Sequence, residues 1–141
     1  MLLDTNVLSE FMRPRPSPAV VDWLDRQTRA ELCVCAISRA EIELGLALMP
    51  AGRRQQALAE AARSMFENDF AGRCLNFDET AAVLYGRIVA ERTRKGRPIS
   101  VEDAQIAAIA CAHRLALVTR NVADFSGIVG LRVFDPWGGS F

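Results

Sequence analysis

Residues 100–125, SVEDAQIAAIACAHRLALVTRNVADF, run through a helix, a strand and a helical turn. Ser100 starts the helix, Asp103 stands three residues on at capping-box spacing, and the helical pattern reaches about His113. Leu115 to Val118 is apolar without alternation, the pattern of a strand covered on both faces. Asn121 to Phe125 follows as a helical turn in which Asn121-x-x-Asp124 imitates the same capping spacing. A buried parallel strand bounded by helices, with acids at the helix starts, defines the fold class.

The rest of the chain extends that unit. Met1 to Leu3 reads as a very short strand ending at Asp4, and Asn6 to Met12 as a short helix stopped by Pro14, Pro16 and Pro18. A helix from Pro18 to about Gln27 presents Val20, Val21, Trp23 and Leu24, and Leu32 to Ile37 is a buried strand. Ser38 starts a helix reaching Met49, broken by Pro50-Ala51-Gly52. Residues 53–70 form an alanine-rich helix with Leu58, Ala61, Ala62, Met65 and Phe66 at helical spacing. Gly72 opens a strand around Cys74 to Phe77. Asp78 caps a helix through Thr93, and Gly96-Arg97-Pro98 ends it. Leu131 to Phe134 is a last strand before the tail Pro136-Trp137-Gly138-Gly139. The order β-α-α-β-α-α-β-α-α-β-α-β predicts an α/β fold. It has three layers, α/β/α, with helices flanking a short, mostly parallel central sheet of four to five strands.

Composition limits the functions available. A chain of 141 residues is one domain's worth, and half of it is hydrophobic, as in a globular protein. With 17 basic and 17 acidic residues the net charge is zero, so the general basic field of a nucleic-acid coat protein is missing. Lys95 is the only lysine, within the run Arg92-Thr93-Arg94-Lys95-Gly96-Arg97, which reads as a solvated helix end. Cys33, Cys35, Cys74 and Cys111 show no C-x-x-C spacing and read as small buried hydrophobes. Cys33 and Cys35 share one strand face. With His113 as the single histidine, zinc is a poor fit. No secretory signal or membrane-length apolar stretch is visible, so the expected location is the cytoplasm.

In parallel α/β sheets ligands bind outside the carboxyl ends of the strands. Asp4, Glu41, Asp103 and Asp124 fall on that side. Each has a local explanation, because Ser38-x-x-Glu41 also has capping-box spacing, Asp4 can cap the next helix, and first-turn acids complement the helix dipole. Together in one crevice they repel unless a cation neutralises them. Oxygen ligands without His or Cys favour Mg2+ or Mn2+, a metal suited to activating water and holding a phosphodiester. Asn6, Ser38 and Thr119 are placed to orient carboxylates or water. Arg39 and Arg120 are candidate phosphate contacts at the rim, with Arg13, Arg15 and the Arg92 to Arg97 run further out. Competing chemistries lack their residues. Asp4-Thr5-Asn6 is not Asp-x-Asp, Lys95 is badly placed, and there is no P-loop, dinucleotide glycine fingerprint or G-x-S-x-G elbow.

The stretches LLDTNVLSE, SRAEIELGL, EDAQIAAIA and LVTRNVADF resemble, in order and along the whole chain, the four motifs of the PIN domain. Length and layout resemble VapC toxins of type II toxin–antitoxin systems, and the ending VFDPW is similar to their FitB-like, plasmid-stability branch. The resemblance implies one PIN domain over residues 1–141 and a Mg2+-dependent endoribonuclease that cleaves RNA. It implies a cognate VapB-type antitoxin as inhibitor, operator DNA bound only through that antitoxin, and a homodimer. Apolar and aromatic residues of the early helices are the candidate dimer surface. Position by position, Asp4, Glu41 and Asp103 match the family's first three acids, with Asp4 and Asp103 as principal metal ligands. Many relatives carry the fourth acid where this chain has Asn121; here Asp124 is the charged residue. The alternatives are a PIN-type RNA-processing nuclease without antitoxin and a catalytically weakened PIN protein that only binds a partner.

Overall fold

The computed structural model describes residues 1–138, so Gly139 of the predicted tail and the end of the predicted domain lie outside the described residues. Five strands appear, each of two residues: β1 (Leu2–Leu3), β2 (Val34–Cys35), β3 (Cys74–Leu75), β4 (Leu117–Val118) and β5 (Val133–Phe134). All pairings are parallel, and a bridge between Leu2 and Cys33 joins β1 to β2, giving the order β3-β2-β1-β4-β5. The helices are α1 (Thr5–Phe11), α2 (Pro18–Asp25), α3 (Ala36–Leu48), α4 (Arg53–Ser64), α5 (Glu79–Arg94), α6 (Val101–Ala112) and α7 (Val122–Phe125). The predicted element order is therefore observed.

Successive strand residues enter different cores, as a pleat requires. Leu3, Val34 and Val118 pack with Val7, Leu8, Val20, Trp23, Ile42 and Leu46 on the face covered by α1 to α4. Leu2, Cys35 and Leu117 pack with Ala81, Ile88, Ile106, Ile109 and Phe125 on the face covered by α5 to α7. Cys33 joins Cys35 in this second core, as the i, i+2 spacing predicts. The central strands are fully buried and the edge strands β3 and β5 only partly, which is why none shows an alternating pattern. Ala104, Ala107, Ala108 and Ala110 in α6 are all buried, and small side chains there let α5 and α6 approach closely.

Three local predictions need correction. α3 begins at Ala36, so Ser38 lies inside its first turn, buried, and is not its cap. The helix predicted over 53–70 is α-helical only to Ser64. It continues as a π-helical turn over Met65–Asp69, closed by Phe70 N–H donating to Met65 O at 2.9 Å. Met65, Phe66 and Phe70 all enter one core through this wider turn. Of the apolar residues of α1 and α2, Val7, Leu8, Val20 and Trp23 are buried and Phe11, Val21 and Leu24 half-buried. The large exposed hydrophobics among the described residues are Leu44 and Leu48, one turn apart on α3, Val83 on α5, and Val101, Val122 and Val129.

Candidate metal centre

β1 lies in the middle of the sheet, and its carboxyl end delivers Asp4. The Asp4 N–H donates to Val118 O at 2.9 Å, continuing the ladder to β4, and the residue then turns into α1 as its N-cap. Its Oδ1 accepts from Thr5 N–H at 2.6 Å, and its Oδ2 accepts from the Thr119 hydroxyl at 2.6 Å. Asp4 is thus both the cap and the centre of the acid group, only 4 % exposed. Thr119 is equally committed. Its N–H donates to Phe134 O at 2.8 Å, and its hydroxyl oxygen accepts from Asn121 N–H at 3.0 Å.

Glu41 is oriented by Thr5. The Thr5 hydroxyl lies 2.8 Å from Glu41 Oε1 and 2.9 Å from Ser38 Oγ, and Ser38 Oγ lies 3.6 Å from Cys35 Sγ. A hydroxyl has one proton and an ionised carboxylate none, so Thr5 donates to Glu41, Ser38 donates to Thr5, and the Cys35 thiol donates to Ser38. Ser38 and Glu41, predicted as a capping pair, meet through Thr5 instead.

Asp103 sits in the first turn of α6, where its N–H donates to the Ser100 hydroxyl at 3.1 Å, as the capping spacing predicts. Asp124 is exposed on α7, and Asn121 makes no side-chain cap there. The charges of these acids act on one another. Burial holds the Asp4 carboxyl above the usual range against the pull of its Thr119 and Thr5 hydrogen bonds, and the charges of Asp103 and Asp124 raise it further. Burial raises Glu41 as well, opposed by Thr5, with Asp4, Asp103 and Glu102 adding to the rise. Asp103 is raised by burial first, against Ser100, and then by Asp124 and Glu102.

Among the described residues no three His, Cys, Asp or Glu side chains form a ready-made metal cage. Uncompensated carboxylates repel, and here Thr5 and Thr119 hold two of them along separate hydrogen bonds. The donor set nevertheless fits a hard cation: oxygen ligands only, in a negative field that the protein's own groups leave uncancelled.

A groove of about 1090 Å3 opens beside Glu41, while Asp103 and Asp124 line a separate, smaller cleft with Arg92 and Arg97. Thr5, Asn6, Glu41, Arg120 and Asn121 are part of the groove's polar lining, with Glu10 and Arg54, and Met12, Ile42, Leu46, Met49 and Leu58 are part of its apolar lining. Arg120 stands there with its guanidinium 5.0 Å from the centre of the Trp137 ring. Arg13 also lines the groove and pairs with Glu10 at 3.2 Å, while Arg15 is exposed. Arg39 is not at this rim. It stacks on Phe66 at 5.0 Å and reaches Glu43 at 3.9 Å, because its place in α3 turns it toward α4. The Arg92 to Arg97 run is not uniformly solvated either, since Arg92 is buried.

Sequence reasoning missed Thr5, Glu102 and Trp137. Thr5 and Glu102 adjoin Asp4 and Asp103, so adjacency to a site acid was the available signal. Trp137 reaches the groove only through the fold.

The PIN domain model matches residues 1–128, and the chain belongs to the PIN-domain family. It is 39 % identical over 137 residues to Toxin FitB of Neisseria gonorrhoeae, covering 97 % of this chain and 98 % of that protein. It is 37 % identical over 137 residues to VapC ribonuclease Y4jK of Sinorhizobium fredii, covering 97 % of each. The solved structure of FitAB bound to an IR36 DNA fragment matches with a TM-score of 0.89 at 38 % identity, covering 99 % of this chain and 97 % of that one.

Proposed function

We propose that this chain, as one PIN domain over residues 1–141, is a Mg2+-dependent endoribonuclease toxin neutralised by a VapB-type antitoxin. The placing of Asp4, Glu41, Asp103 and Asp124 at neighbouring strand and helix ends carries the reading. Burial and then the charges of their acidic neighbours raise the Asp4, Glu41 and Asp103 carboxyls and leave room for a cation to offset them. The relatives named toxin and ribonuclease support it. Asp4 and Asp103 would hold Mg2+, or Mn2+ in its place, with Glu41, and with Asp124 and Asn121 on the outer side. The cation supplies neutralisation of the phosphodiester and a more acidic bound water. Thr119 and Thr5 keep the Asp4 and Glu41 oxygens aimed, so little reorganisation remains for the reaction. Arg120 and Asn121 line the way in and meet the RNA backbone there.

The apolar lining of the groove suits a polypeptide segment leading to Glu41, and the antitoxin is its occupant. Operator DNA would then be reached through the antitoxin, and the related FitAB is a protein solved bound to a DNA fragment. A homodimer would cover Leu44 and Leu48. Among the described residues no helix is long and apolar enough to cross a membrane, and the cytoplasm is the proposed location. Expression of the chain and of Asp4→Asn, scored for growth and for Mg2+-dependent RNA cleavage, tests the site. Arrest and chelator-sensitive cleavage that both survive Asp4→Asn refute it. If a cognate antitoxin relieves neither, the toxin assignment fails.

A further inference from the structure

The geometry points to Arg92 as a positioning residue for Asp124, on which it acts from α5 across the fold. The inference rests on the nuclease reading, in which Asp124 completes the outer side of the metal centre.

Asp124 belongs to α7, a helix of four residues without a side-chain cap. So short a helix does not hold itself, because nucleation consumes the few hydrogen bonds it can make. Its start is tied by Asn121 N–H donating to the Thr119 hydroxyl at 3.0 Å, and Phe125 and Arg92, with Arg97, hold the rest. Phe125, 1 % exposed, plugs into the core beside α6 and sets the depth of the helix. One plug leaves rotation about its own axis free. Arg92 removes that freedom: its Nη2 donates to Asp124 O at 2.8 Å and to Ser126 O at 3.0 Å, one carbonyl on each side of Phe125. The backbone from which the Asp124 carboxylate projects is therefore held by a guanidinium thirty-two residues away in sequence.

The end of α5 is built to deliver this contact. Gly96, at φ 67°, closes a Schellman turn in which Gly96 N–H donates to Thr93 O at 3.1 Å and Arg97 N–H to Arg92 O at 2.9 Å. The turn brings Arg97 back beside Arg92, where its Nη2 donates to Ser126 Oγ at 3.0 Å. Arg92 is 6 % exposed and has no carboxylate within salt-bridge distance among the described residues. Burying a cation is costly unless its bonds are good. Its partners here are the carbonyls of the segment that carries Asp124.

The test compares Arg92→Met and Arg92→Lys in the wild-type chain and in Asp124→Asn. The readouts are single-turnover cleavage of a single-stranded RNA oligonucleotide, Mn2+ affinity by calorimetry, and amide exchange over residues 122–127. Arg92→Met is expected to lower the cleavage rate and Mn2+ affinity about ten-fold with KM for RNA nearly unchanged, and Arg92→Lys to recover most of the loss. In Asp124→Asn the same change should cost less than about two-fold. Exchange over 122–127 should accelerate about ten-fold while the amides of Ala104 to Ala110 stay protected. Equal losses in both backgrounds, or unchanged cleavage in a folded Arg92→Met chain, overturn the proposal. If Arg92→Met does not fold, Arg92→Lys carries the comparison. It should lose activity about three-fold only where Asp124 is present, and a loss in both backgrounds refutes the role. A wild-type chain that cleaves no RNA refutes the nuclease reading instead; exchange over 122–127 still reads the anchor, and exchange indifferent to Arg92 removes it.

Discussion

Thr119→Val tests how the centre is held. The Thr119 hydroxyl uses its proton on Asp4 Oδ2 at 2.6 Å and a lone pair on Asn121 N–H at 3.0 Å, and valine removes both while keeping the shape. A hydrogen bond to a charged group contributes about 1.5–3 kcal/mol and a neutral one about 0.5–1.5 kcal/mol. Asn121 is exposed, so its N–H regains water and the second loss is small. The expected destabilisation at neutral pH is about 2–3 kcal/mol. At about 2–4 °C per kcal/mol for a chain near this size, the midpoint falls by about 4–12 °C. Thermal unfolding followed by circular dichroism in metal-free buffer reads it directly. Thr119→Ser should restore the wild-type value, and in Asp4→Asn the cost should shrink to about 1 kcal/mol because the acceptor is neutral. The cost should also be smaller in acid than at neutral pH, since a protonated Asp4 no longer needs the donor. A loss below about 0.5 kcal/mol, or the same loss in both backgrounds, refutes the claim that Thr119 holds a buried carboxylate.

Three further outcomes follow from the same geometry. Asp4, Glu41 and Asp103 are all raised, so the folded chain binds protons more tightly than the unfolded one. The stability this confers is complete below the ordinary values of 3.8 and 4.5 and is lost as pH rises through the higher folded ones. The metal-free midpoint should therefore fall from mild acid toward neutrality, less steeply in Asp4→Asn, and Mg2+ should restore it at neutral pH; a rise over that window contradicts the assignment. Thr5→Val strips Glu41 of its donor and should slow RNA cleavage about 10–100-fold with Thr5→Ser near wild type, and equal rates for the two variants would separate Thr5 from Glu41. Asn121→Asp should tighten Mn2+ binding about ten-fold in calorimetry, and unchanged affinity would place position 121 outside the metal centre.

The fold was legible because strands buried on both faces and helices with caps each leave a local trace. Asp78 and Ser100 cap where the spacing says they should, accepting from Ala81 N–H at 3.0 Å and Asp103 N–H at 3.1 Å. The strand lengths were not legible, because an apolar run such as Leu32 to Ile37 does not say where pairing stops and helical hydrogen bonding begins. β2 is only Val34–Cys35, and the early start of α3 moved Ser38 from cap to interior. Positions of the four acids were readable from where strands meet helices. The direction of a side chain was not: Arg39 follows Glu43 and Phe66 away from the crevice, and Thr5 joins Ser38 to Glu41 across 33 and 36 residues of chain.

The buried polar residues divide by task. Among the described residues, Asp4, Ser38 and Thr119 belong to the acid centre, and the two others, Glu10 and Arg92, anchor connections. Glu10 accepts from Ser17 N–H at 2.7 Å and from Arg13 at 3.2 Å, folding the proline-rich segment back on α1 along the groove wall. Arg92 does the same for the segment of Asp124. The centre thus has two unequal halves. Asp4 is fixed by backbone pairing in the sheet itself, and Glu41 is one hydroxyl away from it. Asp124 stands on a four-residue helix held through Phe125, Arg92 and Arg97 and through Asn121 on Thr119. On the proposed reading, a cation there would draw its baseline affinity from the rigid half and its sensitivity to sequence from the anchored half. Variation that tunes metal binding while preserving the fold is therefore expected around α7 and the end of α5, and little of it in β1 or β4.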